Sequence, residues 1–170
     1  MTQRLNQIGA IVIVAASLWM LWTSLAPNDE KRIRALLRDL GRTVSVEPNQ
    51  SNLSRLAQGS SLSRLFAEDL QVSLTHPGGE YRGTSRADTI QNIKRLKISP
   101  DVKELSVAFK EIDFIDSPSA SDERDTTITI VATLNGEDFW MTDRFRFVFR
   151  KDEDNSWRIA IIEQYLPGRL

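Results

Sequence analysis

The stretch that decides the fold runs from Thr126 to Arg150 and reads TTITIVATLNGEDFWMTDRFRFVFR. Two runs of alternating apolar and polar residues flank Asn135-Gly136, which is the strongest short-range signal for a β-hairpin. The apolar residues of both runs fall on one face of the predicted hairpin: Ile128, Ile130, Ala132, Leu134, Phe139, Met141, Phe145, Phe147 and Phe149. Asp143 interrupts this face, because it stands where a core side chain is expected.

Helical periodicity marks two segments that precede the hairpin. The first segment predicts an amphipathic helix that ends at Gly41, and its apolar residues are Ile33, Leu36, Leu37 and Leu40. The second helix is predicted behind Ser85, which can form an acidic variant of a capping box with Asp88.

Strands are predicted on both sides of the hairpin. One opens at Asp69 and ends at His76, where Pro77-Gly78-Gly79 stops it. Another strand, which precedes the hairpin, needs a bulge near Lys110-Glu111, because the alternation of apolar and polar residues shifts by one position there. Alternate residues of the last strand are predicted to share the inner face of the sheet: Trp157, Ile159, Ile161, Glu163 and Tyr165.

This order of elements predicts an α+β fold, in which helices cover one face of a curved antiparallel sheet. The domain extends over residues 27–170, and any pocket is expected between the sheet and the helices.

Residues 8–26 contain no charged side chain and predict a transmembrane helix behind a short N-terminal tail, residues 1–7. At about 1.5 Å per residue this helix spans roughly 28 Å, close to the roughly 30 Å hydrocarbon core of a bilayer. Trp19 and Trp22 lie near its C-terminal end, where aromatic rings favour the interface. Two alternatives stay open, namely a signal peptide cleaved after Ser24-Leu25-Ala26 and a buried helix.

We expect a single-pass membrane protein with its C-terminal domain outside the cytoplasm. The basic residues behind the predicted span oppose this orientation, but a long domain can be translocated largely regardless of its charge.

Composition excludes several classes of function. The 22 basic and 23 acidic residues nearly cancel, which argues against a nucleic-acid-binding domain. The chain has no cysteine and a single histidine, His76, so no metal site rich in Cys or His can form. We expect neither a metal nor a cofactor.

The predicted pocket has a polar wall next to aromatic side chains. The candidate pocket residues are His76, Asp143, Glu163, Tyr165, Phe145 and Phe147. His76, Asp143 and Tyr165 would be the catalytic set if the protein is an enzyme, because imidazole and carboxyl groups transfer protons near neutral pH. The alternatives are a histidine bound to nearby backbone and an Asp143 that is paired with an arginine or turned outward by a bulge.

The opposite face of the hairpin is a candidate surface for a homodimer or a protein partner. Its residues are Trp140, Arg144, Arg146, Val148 and Ile162. A sheet face of this composition is either tolerated surface or an interface.

Two segments resemble the nuclear transport factor 2-like superfamily, which includes SnoaL-like and ketosteroid-isomerase-like members. They are residues 65–83, with His76-Pro77-Gly78-Gly79, and the hairpin followed by Trp157-Arg158-Ile159. The resemblance implies a cone-shaped α+β fold with a pocket between sheet and helices, and frequent dimerisation through the sheet. With its anchor, the chain is also similar in layout to the assembly subunit of type IV secretion systems.

The resemblance also implies what isomerase chemistry would need. Its base is a carboxylate just before a proline, where this chain has His76. The first helix has no tyrosine to donate to an oxyanion, and Phe147 stands where the oxyanion-hole acid would be.

The leading hypothesis is therefore a membrane-anchored, non-catalytic binding or assembly module that takes a protein partner or a small apolar ligand. The alternative is a small-molecule isomerase or dehydratase that uses the pocket. The enzyme hypothesis requires that His76 and Asp143 open into one cavity that solvent can reach, and a cavity filled by Phe145, Phe147 and Trp157 would end it.

Overall fold

The computed structural model describes residues 29–76, 79–83, 85–115 and 122–164, apart from the side chains of residues 75–76, 79–83 and 138–143. The chain divides by its internal contacts into residues 1–32 and residues 33–170. Within the described ranges, no helix has both the length and the apolar character needed to cross a bilayer. Residues 8–26 lie outside these ranges, so the membrane anchor stays a prediction.

Along the described chain, two α-helices and a 3-10 helix precede two strands, a third α-helix and four further strands, which is an α+β order. The helices are α1 (Asp29–Val44), α2 (Asn52–Ser60), a 3-10 helix (Ser61–Arg64) and α3 (Arg86–Ile98). The strands are β1 (Phe66–His76), β2 (Gly79–Gly83), β3 (Leu105–Ile115), β4 (Glu123–Leu134), β5 (Glu137–Lys151) and β6 (Trp157–Gln164).

The strands form one curved six-stranded sheet in the order β2-β1-β6-β5-β4-β3. Every neighbouring pair is antiparallel except β1 and β6, which run parallel. The prediction of a purely antiparallel sheet is therefore wrong at this one pair. Hairpin signals fix the direction of strands that follow each other in sequence, whereas β1 and β6 meet only after a long connection.

The predicted hairpin is confirmed. Leu134 pairs with Glu137, and the two turn residues Asn135 and Gly136 have φ values of 53° and 83°. Positive φ at both positions is the type I′ geometry that matches the twist of the strands.

Asn135 also joins the hairpin to the chain before β3. Its Oδ1 accepts hydrogen bonds from the backbone N–H groups of Lys103 (2.8 Å) and Glu104 (3.1 Å). Its Nδ2 donates to the carbonyl oxygen of Asp101 at 2.7 Å. The turn is therefore fixed by tertiary contacts as well as by its own backbone preference.

Several register shifts interrupt the sheet, and those in β3 and β6 decide the outcome of predictions about which side chains face the core. The predicted bulge in β3 is confirmed, because the register shifts between Lys110 and Asp113 and Glu111 has a φ of 47°. A second shift lies in β6: Phe149 pairs with Ile159, but Val148 pairs with Ile161. The parity of β6 therefore changes after Ile159.

The main core lies between the sheet and the helices. The predicted apolar stripe of α1 is buried against the aromatic residues Phe145, Phe147 and Phe149 of β5. Helix α1 continues to Val44 instead of ending at Gly41. A Cβ atom on Gly41 would lie 2.9 Å from the carbonyl oxygen of Val107, so this glycine permits close packing of α1 on β3.

Two buried cations join the three helices. Lys97 of α3 has no exposed surface, and its Nζ donates to the carbonyl oxygen of Thr43 and to Gln58 Oε1. The Arg55 guanidinium donates to the carbonyl oxygens of Gln50, Lys97 and Val102. Burial, followed by repulsion from the Arg55 guanidinium, lowers the pKa of Lys97 to about 8.

Candidate functional site

A cavity of about 550 Å³ lies between α1, α3 and the inner face of the sheet. Helices α1 and α3 and five strands, namely β1, β3, β4, β5 and β6, contribute to its described wall. The lining residues are Leu40, Val44, Phe66, Val72, Leu74, Thr89, Asn92, Ile93, Leu96, Val107, Phe109, Ile130, Phe145, Phe147 and Ile162. Leu96 is 45% exposed, so the cavity is open to solvent beside it.

The described wall is almost wholly apolar. Thr89 and Asn92 are its only polar lining residues, and the Thr89 hydroxyl donates to the Ser85 carbonyl oxygen at 3.1 Å. No lining side chain among those described is ionisable. Such a wall favours an apolar molecule, because a charged ligand would be desolvated without a partner.

Phe145 and Phe147 line the cavity without filling it. The Phe147 ring meets Phe109 edge to face, with centroids 6.0 Å apart and an interplanar angle of 87°. On its other side Phe147 stacks on Phe149 at 6.0 Å and 16°. These neighbours hold the ring in one orientation, and Trp157 is buried elsewhere in the core.

The backbone of two predicted catalytic residues lies next to cavity residues. His76 follows the cavity residue Leu74 by two positions in β1, and Asp143 pairs across the hairpin with the cavity residue Ile130. Their side chains, and Tyr165 as a whole, lie outside the described part of the chain. Their catalytic role stays a prediction.

Glu163 lies on the other face of the sheet, contrary to the sequence interpretation. It pairs in register with Arg146, whose Nη1 donates to Glu163 Oε2 at 3.0 Å. Arg146 also pairs with Asp125 at 2.8 Å, and the Asp125 hydrogen bond raises the pKa of Arg146. The bulge in β6 explains this difference from the prediction, because the extra residue turns the Glu163 side chain from the inner to the outer face of the sheet.

The same bulge removes Ile162 from the predicted partner face and places it in the cavity wall. Val148 is only 1% exposed, so it offers no surface to a partner. Arg144 is exposed, and Arg146 is occupied by its two carboxylates. Trp140 pairs in register with Ala132, but its side chain lies outside the described part.

Of the lining residues, the sequence interpretation named Phe145 and Phe147 and missed those from α1, α3, β1, β3, β4 and β6. The apolar spacing of Ile90, Ile93 and Leu96 was the available signal on α3. Lys97 was also missed, since a lysine within a helix gives no sequence signal of burial.

The described residues contain no group of three or more His, Cys, Asp or Glu side chains that could hold a metal ion. The described wall of the cavity therefore offers a ligand mainly apolar contact.

Solved structures with the same architecture identify the fold. A candidate scytalone dehydratase from Novosphingobium aromaticivorans aligns with a TM-score of 0.61 at 14% identity, over 84% of this chain and 95% of that chain. A cystatin-like domain of unknown function from Nostoc punctiforme aligns with a TM-score of 0.58 at 18% identity, over 85% of this chain and 81% of that chain. The chain has a nuclear transport factor 2-like, cystatin-like fold.

An enzyme also has this fold. A hexachlorocyclohexane dehydrochlorinase (LinA Type2) aligns with a TM-score of 0.52 at 13% identity, over 83% of this chain and 90% of that chain. No family model and no curated protein matches the sequence. At these identities the nuclear transport factor 2-like fold is shared, and function must be argued from the cavity.

Proposed function

We propose that this nuclear transport factor 2-like domain binds a small apolar molecule in the cavity between α1, α3 and the sheet, while residues 8–26 anchor it in a membrane. The cavity itself carries the proposal, because its described wall is apolar, uncharged and open to solvent at Leu96.

Cavity size narrows the ligand class. A volume of about 550 Å³ falls within the roughly 300–1,000 Å³ of small-molecule pockets. Each Å² of apolar surface that the ligand and the wall remove from water contributes about 25 cal/mol to the free energy of binding. A compact hydrocarbon or aromatic compound fits this wall.

A fluorescence titration of the full-length chain tests the proposal. The neutral probe N-phenyl-1-naphthylamine emits strongly only in apolar surroundings. We expect saturable binding by the wild type and about tenfold weaker binding by Leu96→Glu, because the added carboxylate at the cavity mouth must lose water when the probe enters.

Leu53→Glu is the matched control, since Leu53 is an exposed helical leucine that does not line the cavity. Equal binding by wild type, Leu96→Glu and Leu53→Glu would rule out the cavity as the binding site.

The second candidate function is an isomerase or dehydratase that transfers a proton within the same cavity. Two backbone positions favour this second function. His76 is two residues after Leu74 in β1, and Asp143 pairs with Ile130; Leu74 and Ile130 both line the cavity. Neighbours in fold bear the names of a dehydratase and a dehydrochlorinase. An imidazole beside an apolar cavity can act as a general base near neutral pH.

Deuterium exchange separates the two functions. Apolar cyclic ketones are incubated with the protein in D₂O, and NMR follows exchange next to the carbonyl. The enzyme function is supported if the wild type catalyses exchange and His76→Ala loses it while still binding the probe. If the wild type binds the probe but catalyses no exchange, the binding function is supported.

A further inference from the structure

We propose that an arginine row on α1 binds the anionic headgroups of a membrane, so that α1 lies along the bilayer surface. The row consists of Arg34, Arg38 and Arg42, and it is separate from the apolar cavity.

Helix geometry brings the three guanidinium groups together. Residues four apart are rotated by only about 40° from each other, so the row occupies a sector of about 80° and a length of about 12 Å. All three arginines are exposed. A flat anionic surface can therefore contact them at the same time.

The row lies along a groove of about 380 Å³ between α1 and β3. The other groove residues are uncharged and come from both elements: Leu37, Gly41, Val107, Ala108, Phe109 and Ile112. Glu111 and Asp113, the acidic residues of this part of β3, do not line it. No carboxylate therefore lines the groove. The exposed acidic residues of α1 next to the row are Glu30 and Asp39, and neither forms an ion pair with it.

Protein contacts position the first arginine and leave the other two without a counter-charge. Arg34 donates from Nη2 to the Ile112 carbonyl oxygen at 3.3 Å and lies 5.2 Å from the Phe114 ring centroid. Among the described residues no carboxylate forms an ion pair with Arg38 or Arg42. Guanidinium groups bind phosphate oxygens in a bidentate geometry, which suits phospholipid headgroups.

The chain order supplies the reason to choose a membrane over a soluble anion. Only Pro27 and Asn28 separate the predicted span, residues 8–26, from the start of α1. Whatever their conformation, three Cα–Cα steps of about 3.8 Å limit the distance between Ala26 and Asp29 to about 11 Å. An anionic leaflet would attract each nearby arginine, and each contributes about fivefold to the contact.

Headgroup quenching on the full-length chain tests this proposal. The native chain has no cysteine, so Ala35→Cys on the exposed side of α1 provides a single thiol for an environment-sensitive fluorophore. The labelled chain is mixed or reconstituted with phosphatidylcholine vesicles, or with mixed phosphatidylcholine and phosphatidylglycerol vesicles, that carry a headgroup nitroxide quencher.

We expect stronger quenching in the anionic vesicles, and less of it at high salt. The double variant Arg38→Gln/Arg42→Gln should lower the equilibrium constant for headgroup contact by about 25-fold. The double variant Arg64→Gln/Arg95→Gln removes two exposed arginines outside the groove and should retain the wild-type quenching.

Equal quenching in neutral and anionic vesicles overturns the proposal, as does an equal loss in both double variants. Millimolar inorganic phosphate distinguishes a small-anion site: binding of free phosphate by the row, with no effect of anionic lipid, also overturns the assignment to a membrane. The test does not use the cavity, so its failure and the failure of ligand binding are separate results.

Discussion

Lys97 donates a hydrogen bond from its buried Nζ to the carbonyl oxygen of Thr43, and this bond joins α3 to the last turn of α1. A cation near the C-terminus of a helix is favoured by the helix dipole. No carboxylate pairs with this ammonium among the described residues. Burial, followed by repulsion from the Arg55 guanidinium, lowers the pKa of Lys97 in spite of the dipole, so the folded protein holds this proton less tightly than the unfolded chain does.

The first prediction is that stability rises with pH above about 8. The folded pKa of Lys97 is about 8, whereas an unfolded lysine titrates near 10.4. Between these values the unfolded chain binds more protons, so the free energy of unfolding increases with pH. The gain is on the order of 2–3 kcal/mol, and urea unfolding at about pH 7 and about pH 9.5 measures it.

Lys97→Met should lose this pH dependence. Lys94→Met, on the same helix, should keep it and serves as the control. An identical pH dependence of stability in wild type and Lys97→Met would show that Lys97 does not titrate in this range.

The second prediction concerns two buried threonines of β4. The Thr126 hydroxyl has no hydrogen-bond partner among the described residues, and its side chain is fully buried. Thr126→Val should therefore raise the free energy of unfolding by about 1 kcal/mol, because an unpaired buried hydroxyl is replaced by a methyl group. Chemical unfolding measures the change.

Thr129→Val is the matched comparison, since the Thr129 hydroxyl donates to Glu111 Oε2 at 2.9 Å. Its loss should lower stability by about 1 kcal/mol. The same sign for both variants would contradict the argument from hydrogen bonding.

The third prediction concerns Asn135 in the hairpin turn. Asn135→Gly keeps a residue that tolerates positive φ but removes the side-chain bonds to Asp101, Lys103 and Glu104. Stability should fall by about 2 kcal/mol. Asn155→Gly changes another asparagine with positive φ, but one whose side chain forms no hydrogen bond among the described residues. The free energy of unfolding of Asn155→Gly should differ from that of the wild type by less than about 0.5 kcal/mol.

The fourth prediction compares two helical glycines. In Gly41→Ala the new Cβ would meet the Val107 carbonyl oxygen at 2.9 Å, and backbone must move, so we expect a loss of about 2 kcal/mol. In Gly59→Ala the new Cβ would lie 2.9 Å from Lys94 Cγ, so the Lys94 side chain must move but no backbone atom is in the way. The helix preference of alanine should then give a change between zero and a gain of about 1 kcal/mol. Thermal unfolding of both variants checks the difference in sign.

Local sequence signals determined much of this structure. Asn135-Gly136 specified the type I′ turn, because few other residues accept positive φ at both positions. The spacing of Ile33, Leu36, Leu37 and Leu40 specified the buried face of α1, and the alternation of Phe145, Phe147 and Phe149 specified the aromatic wall. Each of these signals depends only on backbone preference or on the period of a single element.

Only the tertiary structure decided the faces of β6 and the neighbours of the helices. The run Ile159-Ala160-Ile161-Ile162 is apolar throughout, so its alternation is ambiguous. Pairing with β5 introduces the bulge that turns Ile162 into the cavity and Glu163 toward Arg146. The parallel pairing of β1 with β6 and the burial of Lys97 likewise depend on segments distant in sequence, because strand register and helix packing are properties of pairs of elements.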